Sequence, residues 1–285
     1  MTLRFTILGC GSSPGVPRVH GEWGACNPDN PKNRRLRCSL LVERIGANGK
    51  TVVVIDTSPD FRQQMLNAGV KKLDGVIYTH AHADHVHGID DLRGYTQLQG
   101  ERITTYSDEP TFERLMQGFR YCYETPEGGI YPPILENRTI RAGEAFEIDG
   151  DGGKIRFFPI LQTHANITSL GFRIGGDLDK FAGGLCYSSD ISAIPDESVK
   201  YIKNLDVWIV DALQYRAHVS HFSLGEALEW IDKLKPKRSI LTHMHIPLDY
   251  DAVMAETPDH VVPAYDGLTL ELPVLATPDA AELNG

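Results

Sequence analysis

Residues 80 to 85 read His-Ala-His-Ala-Asp-His, directly after the apolar run 76–78. Neutral imidazole and carboxylate oxygen are the ligands that borderline divalent ions such as Zn²⁺ accept. Four such groups within six positions serve a hydrophobic core poorly, and a solvated histidine-rich loop is the bland alternative. The spacing also argues against one site filled by a regular element. On a strand, His80, His82 and Asp84 share a face while His85 points away; on a helix, His80 and Asp84 align and His82 does not. A tight loop at a strand end splits the four into two pairs, one for each of two neighbouring ions, and Gly88 is placed to help the chain turn away.

Such a loop needs partners, and three follow strand-like runs. His164 comes after the run 155–160, Asp190 after 185–188 and His243 after 239–242, so the three are expected to converge on one edge of the sheets. Similar runs at 3–8, 39–42, 51–56, 75–79, 171–174 and 207–210 alternate with helical patterns at 59–68, 110–121, 197–202 and 223–234. Ser223, with Glu226 three residues on, fits a capping box at the start of the last helix. Strands and helices interleave without a linker, a repeat or a low-complexity tract, which predicts a layered α/β architecture. At 285 residues a single domain over 1–273 is expected, with 274–285 as a frayed tail rich in Ala, Pro, Asp and Glu. The stretch 125–137 sets Pro126, Gly128, Gly129, Pro132 and Pro133 among Ile130, Tyr131 and Ile134. It reads as a loop packed over something, either a surface crossover or a substrate-facing lid.

Composition narrows the function classes. The chain is 41% apolar and 23% charged, as ordinary globular proteins are. Its net charge of −10 argues against an extended nucleic-acid surface, which needs clustered Lys and Arg, but leaves a small phosphate ester open. No segment approaches the ~18 to 20 apolar residues of a membrane span, and there is no signal-peptide pattern. The five cysteines, Cys10, Cys26, Cys38, Cys122 and Cys186, are scattered and odd in number, as reduced cytoplasmic thiols are. A soluble cytoplasmic protein is the expectation.

The order His-x-His-x-Asp-His, then a lone His, a lone Asp and a final His, resembles the metallo-β-lactamase-fold superfamily over residues 1 to about 272. The resemblance implies an αββα sandwich of two mixed β-sheets and a site for two divalent ions, Zn²⁺ or Mn²⁺. It implies His80, His82 and His164 on one ion, Asp84, His85 and His243 on the other, and Asp190 bridging. Asp56, ending an early strand, is similar to an Asp that supports such sites from behind, although a strand-end turn accounts for it equally well.

The opening 8–17, Leu-Gly-Cys-Gly-Ser-Ser-Pro-Gly-Val-Pro, is no dinucleotide loop, because Pro14 and Pro17 oppose a continuation into helix. Together with the run 34–39, Leu241-Thr242-His243 and Ser220-His221-Phe222, it is similar to the PhnP-like phosphodiesterase branch. That resemblance implies hydrolysis of small cyclic or nucleotide phosphodiesters with Asp84 and His221 as catalytic residues, His221 protonating the leaving oxygen. Capping the following helix is the other reading of His221. Two cations held together would lower the pKa of a water from 15.7 toward ~7 and so make hydroxide available for attack. Lys32, Arg34, Arg35 and Arg37 form either a phosphate-grasping patch, with Arg34 and Arg37 as substrate contacts, or a solvated face.

One departure stands out. Members of the branch can carry a further zinc site of clustered cysteines near the N-terminus, whereas residues 18–27 keep only Cys26, with His20 and His245 as distant candidates. No third metal is expected, and the loss leaves the exact substrate open. Rival readings are an RNase Z-like tRNA 3′-processing enzyme, hydrolysis of a lactam or thioester, and a non-catalytic carrier similar to PqqB. The first usually carries a gripping arm for which the interval 164–190 is short. The expected partner is a small phosphodiester or nucleotide, with no membrane, and a homodimer as the assembly.

Overall fold

The computed structural model describes residues 1–274, so the expected tail lies, apart from Val274, outside the described residues. The nine apolar runs all form strands, and five further strands join them. The first sheet is built from β1 (Thr2–Gly9), β2 (Ser39–Ile45), β3 (Lys50–Ile55), β4 (Gly75–Ile77), β5 (Ile103–Ser107) and β6 (Leu135–Thr139). The second takes β7 (Phe146–Ile148), β8 (Ile155–His164), β9 (Ile167–Ile174), β10 (Leu185–Ser188), β11 (Val207–Asp211), β12 (Arg238–Thr242) and β13 (Val261–Pro263). A last strand, β14 (Thr269–Pro273), returns to the first sheet and pairs with β1. The orders are β14-β1-β2-β3-β4-β5-β6 and β13-β12-β11-β10-β9-β8-β7. Both sheets are mixed: β3 to β6 run parallel and so do β10 to β13, while the other pairings are antiparallel.

The near-continuous apolar runs have a direct cause in a first sheet that is covered on both faces. Alternate residues point to opposite sides of a strand. Phe5, Ile7, Leu40, Val42, Val53 and Ile55 enter the core shared with the second sheet. Their neighbours Leu8, Leu41, Val52 and Val54 enter an outer core with Phe61 and Met65 of α1 (Phe61–Ala68) and Leu115 of α4 (Glu109–Tyr123). Between these helices lie α2 (Ala83–Val86) and α3 (Arg93–Gln99). On the far side, after α5 (Asp196–Val199), α6 (Leu224–Leu234) and α7 (Tyr250–Glu256) bury Ala227, Ile231 and Val253 against the second sheet. The layers are therefore helix, sheet, sheet, helix: an αββα sandwich. No helix among the described residues is long and apolar enough to cross a membrane.

Two local expectations are corrected. Gly88 sits at an ordinary negative φ of −86 and is not a special turn. It is needed because a Cβ there would lie 2.2 Å from the Ser58 carbonyl oxygen and 2.5 Å from the Phe61 Cβ. The stretch 125–137 is irregular only as far as β6, which begins at Leu135, and Ile130 and Tyr131 are 85% and 75% exposed rather than packed. It does not line the cleft described below.

Candidate active site

In the first sheet β3 and β4 run parallel, in the second β8, β10, β11 and β12 share one direction, and the residues at the C-terminal ends of all six meet at one edge of the sandwich. That edge is where open α/β sheets commonly place ligands. Asp56 follows β3, the loop from His80 follows β4, His164 ends β8, Asp190 follows β10, Asp211 ends β11 and His243 follows β12. Asp56 and His243 take left-handed backbone conformations, with φ of 67 and 57. Such conformations cost about 1–3 kcal/mol in a non-glycine residue and persist where the surroundings impose them. The turn at 80–85 is tighter than a plain loop, because Asp84 and His85 lie on the single helical turn α2.

All seven predicted ligand residues come together. One group comprises His80, His82 and His164, the other Asp84, His85, Asp190 and His243, and within each the ligand-type atoms lie within 4.8 Å of one another. His164 Nε2 is 3.1 Å from His82 Nδ1, and His243 Nε2 is 3.3 Å from Asp190 Oδ2. Two ligand atoms each ~2.0–2.1 Å from one tetrahedral ion stand ~3.3 Å apart, so these separations suit a shared cation. Asp190 faces both groups: Oδ1 is 3.0 Å from His85 Nε2, and Oδ2 is 3.9 Å from His164 Nε2. His80 Nε2, His85 Nε2, His243 Nε2 and Asp190 Oδ1 are buried without a hydrogen-bond partner among the described residues. Buried polar atoms are rarely left so, and a divalent ion satisfies them together.

Neighbouring residues orient the ligands. Asp56 accepts hydrogen bonds from the Thr79 backbone N and hydroxyl, both at 2.8 Å, and from His85 Nδ1 at 2.7 Å. The Thr79 hydroxyl in turn accepts from His80 Nδ1 at 3.0 Å. His164 Nδ1 donates to the Ser220 carbonyl at 2.6 Å. Each of these bonds puts the proton on Nδ1 and turns the Nε2 lone pair inward, the outer-shell arrangement typical of metal-binding histidines. Asp56 therefore supports the site from behind and is more than a turn residue.

Electrostatics push the groups toward their ligand forms. Burial lowers His80 and His82, and takes His164 down to about 4, so these imidazoles are neutral at pH 7. Burial alone would raise Asp190, but His243 and His85 outweigh it and hold the carboxyl well below its usual range. Asp84 is likewise lowered, because His85 and His243 overcome its burial. His85 is the exception: Asp190, Asp84 and Asp56 overcome its burial and raise it, so three carboxylates compete here for positive charge. A divalent cation held here would supply that charge.

His221 is buried beside this cluster, which is not how a surface cap would lie. Its ring stacks on His243 at 4.4 Å between centroids, and its Nδ1 is 2.7 Å from Asp211 Oδ2 and 3.8 Å from Asp190 Oδ2. Asp211 was not singled out in the sequence. The signal was present, since an apolar run ending in Asp is also the pattern of Asp56.

A cavity of about 460 Å³ opens beside Asp84, lined among others by Ser13, Arg18, His20 and Arg37. Arg37 is at this mouth. Arg34 is turned away over the Trp23 ring, 5.1 Å from its centroid. Arg35 is fully buried and donates to the Leu248 carbonyl at 2.7 Å. Cys26 packs with Val16, Ile246 and Trp23 in a small apolar cluster, His20 pairs with Glu22, and His245 bonds Ser12 and Arg18, so the three are engaged separately. A larger cavity of about 660 Å³, lined by Leu3, Arg44 and Arg156 among others, lies at the opposite end of the strands and holds none of the ligand residues.

The profile described as "Beta-lactamase superfamily domain" matches residues 51–244, which contain every one of these ligands. The chain belongs to the metallo-β-lactamase-fold superfamily, in its PhnP-like branch. Within that superfamily it is similar to a solved structure described as a new diphosphatase from the PhnP family. That likeness is 33% in sequence, with a TM-score of 0.81, and covers 95% of this chain and 98% of that one. It is 30% identical over 270 residues to a Porphyromonas gingivalis protein named octanoyltransferase. The match takes in 93% of this chain but 51% of that protein, so the chain spans about half the length of this relative. It is also 30% identical over 149 residues to ribonuclease Z of Bradyrhizobium diazoefficiens, covering 50% of this chain and 45% of that enzyme.

Proposed function

We propose that this superfamily member is a hydrolase of small phosphodiesters that works with two divalent ions, Zn²⁺ or Mn²⁺. The observation that carries the reading is Asp190, whose two carboxylate oxygens face the two ligand groups while His221 stands beside it. His80, His82 and His164 would hold one ion and Asp84, His85 and His243 the other, with Asp190 shared. Ions so paired supply Lewis acidity and an acidified water. Asp211 accepts the Nδ1 proton of His221, which leaves Nε2 as the atom that delivers a proton to the departing oxygen. Asp56 and Thr79 keep the imidazoles of His80 and His85 in the binding tautomer. The PhnP-family relative is named a diphosphatase, which supports a phosphate ester as substrate.

The ribonuclease reading has less support. Between His164 and Asp190 the chain runs through β9 and β10 joined by a short loop, with no protruding arm. Hydrolysis of bis(p-nitrophenyl) phosphate and of cyclic and linear nucleotide diesters, after loading with Zn²⁺ or Mn²⁺, tests the proposal. Turnover of any of them supports it. Turnover confined to a lactam or to an octanoyl thioester, the latter included because of the octanoyltransferase-named relative, would replace it with acyl chemistry. No turnover on any probe would leave a carrier.

A further inference from the structure

We infer that Arg18 and Arg37 grip a second, non-scissile phosphate, which makes disubstituted diphosphates the preferred substrates; this deepens the phosphodiester reading and rests on it. Both arginines line the cavity whose wall includes Asp84, in a chain whose net charge is −10. The backbone N and the Nε of Arg37 both lie 2.9 Å from Asp60 Oδ2, which fixes the direction of the side chain. The guanidinium runs past Gly15, where an added Cβ would be 3.6 Å from Nη1. The guanidinium is ion-paired with Asp60 on its Nε side, and neither Nη atom makes a hydrogen bond among the described residues, so the outer edge of the fork is open to a phosphate.

Arg18 is fixed by a different set of contacts. Its Nη2 donates to His245 Nε2 at 2.7 Å, and His245 Nδ1 donates to the Ser12 hydroxyl at 2.7 Å. Glu22 pairs with Arg18 Nη1 at 2.8 Å and with His20 Nε2 at 3.2 Å. Each guanidinium thus faces one carboxylate, Glu22 for Arg18 and Asp60 for Arg37, but both Nη atoms of Arg18 are already engaged, which leaves Arg37 as the principal anion contact and Arg18 as its oriented companion. Arg34 does not line the cavity.

The chemistry distinguishes this substrate class from simple diesters. With a diphosphate bridging two organic groups, a water oxygen bonds to one phosphorus and the bond from that phosphorus to the bridging oxygen breaks. The bond's electron pair leaves with that oxygen. Two phosphate monoesters form, the water's protons are shared between them and the medium, and no further reactant is needed. The leaving group is a phosphate rather than an alkoxide, and its growing negative charge meets preorganised guanidinium donors.

The test compares the metal-loaded protein and its Arg37→Met, Arg37→Lys and Arg18→Met variants on two substrates, di(adenosine-5′) diphosphate and bis(p-nitrophenyl) phosphate. The expected result is a kcat/KM loss in Arg37→Met of ~10- to 100-fold on the diphosphate, the scale of a charge-assisted pair, against under ~3-fold on the aryl diester. Arg37→Lys should recover part of the loss, and Arg18→Met should fall in the same direction by less. Inhibition of aryl-diester hydrolysis by adenosine 5′-monophosphate should weaken in Arg37→Met by a similar factor. Equal losses on both substrates, unchanged monophosphate inhibition, or a wild type that cleaves the aryl diester but not the diphosphate would each overturn the clamp alone. A wild type that cleaves neither would overturn the clamp, and one that also leaves the cyclic and linear nucleotide diesters intact would remove the phosphodiester reading as well.

Discussion

His221 donates through Nδ1 to Asp211 Oδ2 at 2.7 Å, so Asp211→Asn sets a neutral amide against the same ring nitrogen. A wrongly oriented ring or tautomer then weakens proton delivery. Turnover should fall by ~10- to 100-fold with KM little altered, while His221→Ala should cost ~10²- to 10⁴-fold, the usual worth of a general acid. Both variants should keep their metal, measured by elemental analysis; an Asp211→Asn protein with full turnover would remove this pair from the mechanism. Asp190→Ala is the contrasting change, expected to abolish hydrolysis and to empty at least one metal position. The ligand set was legible because His80, His82, Asp84 and His85 crowd a spacing that no core explains. Asp211 was less so, because a single Asp at a strand end is common and its meaning depends on a histidine ten residues away that only the fold brings onto it. Arg18 and Arg34 illustrate the same limit: in sequence both are basic residues shortly after a Pro, and only the Trp23 ring and the His245 imidazole send them to different places.

Among the elements, the short turn α2 carries Asp84 and His85, and its position is set from outside by Gly88. The Gly88 backbone N donates to the Thr57 carbonyl at 2.9 Å, and its missing Cβ lets the chain lie against the start of α1. Gly88→Ala forces backbone and Phe61 apart, so it should destabilise the protein by ~1–3 kcal/mol, as overpacked sites do. It should also lower metal affinity, because α2 moves with it; a variant with normal unfolding midpoint and normal metal content would contradict this. The apolar strands of the first sheet were legible because both faces are covered. The strands β5, β6, β7, β13 and β14 were not. β6 reads Leu-Glu-Asn-Arg-Thr with three of its five residues exposed and one partly so, and β7 and β13 have three residues each, too few for a period to appear.

Across the whole molecule, distant segments are fastened at Asp266. Its Oδ1 accepts from the Cys10 backbone N at 3.1 Å, and its Oδ2 accepts from the Leu36 backbone N at 2.7 Å. Burial pushes this carboxyl up to about 7, against the lowering effect of those bonds. An unfolded Asp titrates near 3.9, so between pH ~4 and ~7 the folded chain binds more protons than the unfolded one, and this group's contribution to stability falls as pH rises. Allowing for the partial exposure of the residue, the change is about 2 kcal/mol. The stability difference between wild type and Asp266→Asn, from urea unfolding of the metal-free proteins, should shift against the wild type from pH 4.5 to pH 7.5. A difference that stays constant over that range would show the carboxyl to be ionised throughout. The same fastening has a consequence for biosynthesis. The segment that carries Arg18 and Arg37 is tied down by Ile246, Leu248 and Asp266, all of which leave the ribosome more than two hundred residues later. A nascent chain can display His80 and His82 long before it can close the wall of its own cleft, but the catalytic edge also waits for His221 and His243, so the edge and the grip on an anion are completed together, by segments that follow the first histidines by well over a hundred residues.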